Sequence, residues 1–182
     1  MEIQSLHIKQ LKQGDAKIQK WVFEGLYNKM FNVSLRYVSR MDEAEDCVMK
    51  GFLKAFQQID SFQFEHNLSF YNWLKRIVVN ESLMALRKQN NLSLAAIDEA
   101  TEVTHESDIL HQIEAKYLLE AITKLPVGYR TVFNLFVVEG YSHKEIAMQL
   151  GISENTSKTQ LAKAKQKLQI IITQKQYGYG NG

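Results

Sequence analysis

Residues 155–167 carry the side chains best suited to specific chemistry in this chain. At roughly 100° per residue, Asn155, Thr159, Ala162 and Gln166 share one side of a helix. Lys158 and Lys165 border that side on one edge, and Lys163 and Lys167 border it on the other. A polar, partly small face edged by lysines suits the DNA major groove, with Asn155 and Thr159 at base edges and the lysines at phosphates. The same lysines on an ordinary amphipathic helix would only solvate it, so the surroundings decide. Ser142 and Glu145 form an S-x-x-E capping box that starts a helix at His143. Ile146, Ala147 and Leu150 make its inner face, and Ala147 is small enough for a close crossing. Gly151 follows, where the chain must turn left-handed. Ile152 plugs the turn and Ser153 caps the second helix. Ser157, Leu161, Ala164 and Leu168 form that helix's inner face. Cap, small residue, glycine turn and apolar plug together predict a helix-turn-helix.

Other chemistries find no constellation. The five histidines are scattered, and the spacings His66–His105 and His105–His111 are not those of a metal site. The single cysteine, Cys47, has no histidine three or four residues on, which makes it a structural residue rather than a nucleophile. It also rules out a disulfide framework and fits a reducing compartment. No glycine-rich phosphate loop is present. The carboxylates Asp42, Glu43, Glu45 and Asp46 suit a helix N-terminus, where negative charge is favourable. The expectation is a protein that is not an enzyme, with no catalytic residue, metal or cofactor.

The elements that must position the lysine-edged helix are all predicted helical. Residues 5–13 form a short helix ending at Gly14-Asp15. From Ala16 to about Arg40, Ile18, Val22, Leu26, Met30 and Val33 recur at helical spacing, and Trp21, Phe31, Leu35 and Val38 widen the stripe. Asp42 caps a helix running to about Ile59. Residues 60–69 read as a loop, and a further helix spans Phe70 to about Gln89. Residues 90–108 lack aromatics and a sustained period, and read as a flexible acidic linker. A helical pattern resumes over 109–124 through Ile109, Ile113, Leu118 and Ile122. Leu125-Pro126 breaks it, with Pro126 in the first turn of the next helix, which stops near Gly140. The tail YGYGNG is expected to be disordered. The fold class is all-α: two small helical domains, 1–89 and 109–175, joined by the linker 90–108 and followed by a disordered tail, 176–182.

Composition agrees with a helical chain and says little else. The 182 residues are 45% apolar, with one proline. Net charge is only +2, but its distribution is uneven. Residues 1–95 carry 13 basic and 10 acidic side chains, residues 96–120 one and seven, and residues 121–182 eight and three. No apolar run approaches the roughly 18 residues of a membrane helix, and the N-terminus has no signal core. A soluble, cytoplasmic protein is expected.

From Leu125 onward, LPVGYRTVFNLFVVEGYSHKEIAMQLGISENTSKTQLAKAKQKL resembles region 4 of the bacterial sigma-70 family, most of all its extracytoplasmic-function (ECF) branch. Response-regulator output domains share this motif, so the first half decides. DEAEDCVMKGFLKAFQQIDSF resembles ECF region 2.2, and FYNWLKRIVVNESLMALRK resembles regions 2.3 and 2.4. The resemblance implies a factor that binds core RNA polymerase and directs promoter recognition. Region 4 would read the −35 element and rest on the polymerase flap. Region 2 would dock on the largest-subunit clamp and open the −10 element. Melting requires capture of an unstacked base, which an aromatic-walled pocket provides. The positions matching that pocket are Lys54, Gln58, Phe62, Ile77 and Asn80, with Arg76, Arg87 and Lys88 on phosphates. Plain core packing is an equal reading for Phe62 and Ile77. Trp73 reads as core, and Phe64 and Tyr71 as the better exposed stacking surfaces. Core polymerase would meet Glu45, Asp46, Met49, Lys50, Phe52 and Leu53. The family often has an anti-sigma factor that clamps both domains.

Three positions depart from the family pattern. Met49-Lys50 stands where many relatives have Gln-Glu, Met84 where an aspartate is usual, and Ser157 where a buried valine is frequent. Lys50 would face a basic clamp, so it must point elsewhere or meet a locally different polymerase. Two other readings remain: an autonomous helix-turn-helix regulator whose N-terminal domain dimerises or senses a ligand, and a helical sigma mimic that titrates a partner.

Overall fold

The computed structural model describes residues 1–88 and 115–178, and among these every regular element is helical. The chain divides into two compact units, Met1–Gln89 and Asn90–Gly182. The expected linker, with Ile109 and Ile113 beyond it, lies outside the described residues.

The first unit contains α1 (Ser5–Lys12), α2 (Ala16–Val38), α3 (Met41–Gln57), a 3-10 turn (Ile59–Ser61) and α4 (Asn67–Lys88). Helices α2, α3 and α4 pack on one another, and α1 lies against α2 and the 3-10 turn. Local chemistry sets the boundaries. Asp15 caps α2 by accepting from the backbone N–H of Lys17 at 2.8 Å, one of the donors a helix start leaves unpaired. Ser39 ends α2 in the left-handed conformation, φ 62°. Asp42 does not cap α3, whose N-cap is Arg40. Asp42 instead accepts from Arg40 Nη2 at 2.7 Å, and that hydrogen bond holds its carboxyl below the ordinary range. The helix therefore starts at Met41, two residues earlier than an Asp42 cap would place it, and Asp42 lies in its first turn, where negative charge is favourable. Helix α4 likewise starts before Phe70, at Asn67.

The periodic residues Val22, Leu26, Met30 and Val33 are buried as expected, while Ile18 is only partly so. Trp21 does not join the stripe; it is exposed and packs on the His7 ring of α1, centroids 4.7 Å apart. Inside the unit, Ser34 Oγ and Ser82 Oγ lie 2.9 Å apart, and Ser82 Oγ donates to the Val78 carbonyl at 2.8 Å. These bonds satisfy buried hydroxyls that would otherwise be costly. Cys47 is buried beside them, and burial pushes its thiol up, so it is an unreactive core residue.

The second unit contains α5 (Ala115–Thr123), α6 (Val127–Phe133), a π-helical segment (Asn134–Val138), α7 (His143–Leu150) and α8 (Glu154–Gly178). Pro126 precedes α6 as its N-cap rather than entering its first turn. The buried Arg130 donates Nη1 to the carbonyls of Thr123 at 3.1 Å and Leu125 at 2.9 Å. These lie at the α5 end, where carbonyls lack helical partners. Helix α8 packs on α5, α6 and α7 through Ser157, Leu161, Ala164, Leu168 and Ile172. It runs to Gly178, so three residues of the expected disordered tail are helical.

Candidate polymerase and nucleic-acid interfaces

The helix-turn-helix forms as its sequence dictates. Ser142 N and Ser142 Oγ donate to Glu145 Oε2 at 2.8 and 2.7 Å, and Glu145 N donates back to Ser142 Oγ at 3.3 Å. The Ser142 bonds hold the Glu145 carboxyl below its usual range. Gly151 takes φ 69°, which strains any residue with a Cβ. The N–H groups of Gly151 and Ile152 both reach the Ala147 carbonyl, at 2.9 and 3.1 Å. Ser153 Oγ caps α8 by accepting from Thr156 N at 3.0 Å.

These constraints turn Asn155, Lys158, Thr159, Lys165 and Gln166 outward, all exposed along α8. Ala162 and Lys163 are half-buried, so Lys163 is the least open of the candidate phosphate contacts. The small Ala162 leaves a shallow place in this face, the shape that lets a helix approach a groove.

His143, the first residue of α7, belongs to this construction. Its Nδ1 lies 2.9 Å from Ser157 Oγ, and its ring stacks on Phe136 with centroids 4.4 Å apart. Ser157 is fully buried. The signal was available: a hydroxyl at a buried helix position demands a partner.

In the first unit, α3 presents Met41, Glu45, Met49 and Leu53 outward at four-residue steps. Met41 is 69% exposed, Met49 54% and Leu53 60%. Exposed apolar side chains flanked by carboxylates suit a partner surface that is apolar at its centre and basic at its rim. Met41 joins the candidates through its spacing from Glu45. Lys50 forms an ion pair with Asp46 along the helix. Phe52 is a correction. It is 2% exposed and packs on Phe23 and Phe56, so it supports the stripe from below and offers no contact surface.

Of the candidate melting residues, Gln58, Arg76, Asn80, Arg87 and Lys88 are exposed. Arg76, Asn80, Met84 and Arg87 fall on one stripe of α4, so Met84 lies in line with Asn80. Lys54 turns toward α4 and pairs with Glu81, Nζ to Oε1 3.0 Å. Phe62 and Ile77 are buried, 5% and 9% exposed. Phe62 packs edge-on against Phe70 at 5.5 Å and tilted against Trp73 at 5.0 Å. The packing reading accounts for both. Phe64, Tyr71 and Trp73 are each half-buried. Among the described residues, no group of histidine, cysteine and carboxylate side chains is arranged to hold a metal ion, and no helix is long and apolar enough to cross a membrane.

Comparison with known proteins extends this picture. Residues 22–92 match sigma-70 region 2, and residues 115–168 match sigma-70, region 4. The chain is 29% identical over 175 residues to the ECF RNA polymerase sigma-E factor of Haemophilus influenzae, covering 89% of this chain and 91% of that protein. It is 28% identical over 174 residues to the ECF RNA polymerase sigma factor SigW of Bacillus subtilis, covering 88% and 92%. Its fold is similar to that of the sigma factor RpoE from Bartonella quintana, solved in complex with the anti-sigma factor NepR. That match has a TM-score of 0.50 at 22% identity and covers 85% of this chain and 96% of that one. Two family regions in their order, with relatives matched along most of their length, establish the assignment: the chain belongs to the sigma-70 family of RNA polymerase sigma factors, in its ECF branch.

Proposed function

We propose that this protein binds core RNA polymerase and directs initiation at promoters with a −35 and a −10 element, the first read by residues 109–175 and the second opened by residues 1–89. One observation carries the reading. A helix-turn-helix with an exposed polar, lysine-edged face shares a chain with a unit bearing an exposed apolar and acidic helix stripe. Each coincides with the family region expected to use it.

In this reading Asn155 and Thr159 meet base edges at −35, and Lys158, Lys163 and Lys165 meet phosphates. Met49 and Leu53, with Glu45 and Met41, dock on the basic clamp of the largest subunit. Lys50 neutralises Asp46 instead of repelling the clamp. Asn80 holds an unstacked base, and Arg76, Arg87 and Lys88 guide the opened strand. Phe62 and Ile77 shape the pocket wall from the core. Residues 90–108 tether the two halves. The flap supports residues 109–175, and an anti-sigma factor covers these surfaces when transcription is off. The protein acts with polymerase in the cytoplasm, at the nucleoid, as an initiation factor rather than an enzyme, and needs no cofactor.

Run-off transcription with cognate core polymerase on a random promoter library tests the reading. Promoter-dependent transcripts that share two spaced elements are expected. The free chain is expected to bind promoter duplex poorly, because polymerase sets the spacing of its two halves. Tight, sequence-specific duplex binding without polymerase would instead identify an autonomous regulator.

A further inference from the structure

Ser157 and His143 form a polar pair where two helices of a DNA reader meet. Ser157 is fully buried on α8, two residues from Asn155, one from Lys158 and two from Thr159. Its hydroxyl faces the His143 Nδ1 at 2.9 Å. The imidazole is itself fixed, stacked on Phe136 of the π-helical segment. It is also the first residue of α7, whose start is locked by the Ser142–Glu145 box. A line of fixed groups therefore runs from the π-helical segment through His143 to the first turn of α8. The charged groups that bear on the ring are Lys158 and Glu154, both on α8.

We infer that His143, through Ser157, is a positioning residue for −35 recognition: it sets the orientation of the α8 N-terminal turn that carries Asn155, Lys158 and Thr159. A hydrogen bond to a base edge tolerates misplacement of only about 0.5 Å. Contacts to phosphates, made by flexible lysines, tolerate more. Loss of the pair should therefore reduce discrimination between sequences more than overall affinity. The inference rests on the −35 reading of α8.

The test uses holoenzyme assembled from the full chain and its cognate core polymerase. Run-off yield is measured on the selected promoter and on the same promoter with a scrambled −35 element. His143→Ala leaves the buried Ser157 hydroxyl unmatched, and Ser157→Val leaves the half-buried imidazole without its partner. Each is expected to cut the cognate-to-scrambled ratio about fivefold to tenfold. His143→Asn keeps an acceptor and a donor near the Nδ1 position and should restore most of the ratio. The His143→Phe, Ser157→Val double variant replaces both polar partners and should recover the ratio to within about twofold. A merely structural role would lower both promoters together, with rescue by neither variant, and that result overturns the inference. So does an undiminished ratio in the single variants while wild type discriminates. A wild-type chain that yields no promoter-dependent transcript overturns the reading of function, and the inference with it. Circular dichroism of each variant separates misfolding from misorientation, and the two rescue variants decide the matter if His143→Ala does not fold.

Discussion

Lys54 of α3 reaches Glu81 of α4, Nζ to Oε1 3.0 Å, and joins two helices that carry different tasks in the proposed function. The carboxylate is mostly buried while the ammonium is half exposed, so the pair sits at the edge of the packed region. A lysine held this way is a weak phosphate ligand until the carboxylate releases it. Glu81→Gln should change stability by no more than about 1 kcal/mol, because the pair is partly solvated. It should also strengthen binding of opened −10 strand by holoenzyme. Freeing one cation for one phosphate should steepen the salt dependence by about 0.7 in log–log slope. An unchanged slope would mean that Lys54 serves only the helix junction.

The junction itself depends on a missing side chain. A Cβ on Gly51 of α3 would stand 2.7 Å from Val78 Cγ2 and 3.4 Å from Val78 Cα on α4. The first contact is too short, and it falls on a fully buried β-branched side chain with little freedom to turn away. Gly51→Ala should therefore destabilise the first unit by about 1–3 kcal/mol, despite alanine's better helix propensity. Thermal melting measures the loss, and a raised midpoint would show that the two helices part freely.

The features legible in the sequence were those fixed by a few neighbouring residues. Ser142, Glu145, Gly151 and Ser153 specify their own turn, and the structure repeats them bond by bond. Long-range partners were not legible. Nothing near Lys54 names Glu81, 27 residues away, and nothing near Ser157 names His143 except the need for a partner. Family resemblance identifies the α3 segment and not its outward face; the Phe52 ring follows Val48 inward while Leu53 turns out. Asp42 has the residue type of a cap, but α3 begins at Met41 behind the N-cap Arg40, and Asp42 pairs with that arginine from inside the first turn. The π-helical widening at Asn134–Val138 has no local signature that the apolar pattern reveals.

Acid should weaken the helix-turn-helix through His143. Burial, followed by the nearby Lys158 charge, holds its imidazole below the ordinary value of 6.5. The folded state thus binds fewer protons at this ring than the unfolded chain. Its contribution is fully present above about pH 6.5 and is lost as pH falls, until the ring also charges in the folded state. Carboxylates add their own acid dependence, so the comparison is between wild type and His143→Phe. The wild-type melting midpoint should fall more steeply between about pH 7 and 5. Parallel curves would mean the ring titrates alike in both states.

The α3 stripe makes a separable prediction. Met49 and Leu53 are exposed, so Met49→Ala and Leu53→Ala should leave melting within about 0.5 kcal/mol of wild type. If they anchor core polymerase, each should weaken holoenzyme assembly by more than about 1 kcal/mol, the range of central apolar anchors. Competition with labelled wild-type chain for limiting core enzyme reads this directly. Phe52→Ala should do the opposite, costing about 3–5 kcal/mol of folding stability through the cavity it leaves.

Asn80 separates binding from melting. It is exposed on α4 between Arg76 and Arg87, on a stripe that also carries Met84. The arginines can hold phosphates of duplex or single strand alike, because phosphate contacts carry little information about base pairing. An amide that hydrogen-bonds a base edge acts on a base that has left the stack. Asn80→Ala should therefore leave closed-complex affinity within about twofold and slow open-complex formation about fivefold to tenfold, the loss of one hydrogen bond in a desolvated pocket. A promoter carrying a pre-melted −10 bubble should recover only part of the loss, since the bubble removes the unstacking cost but not the missing contact. Equal impairment of closed and open complexes would remove Asn80 from the pocket and leave the stripe as a phosphate track alone.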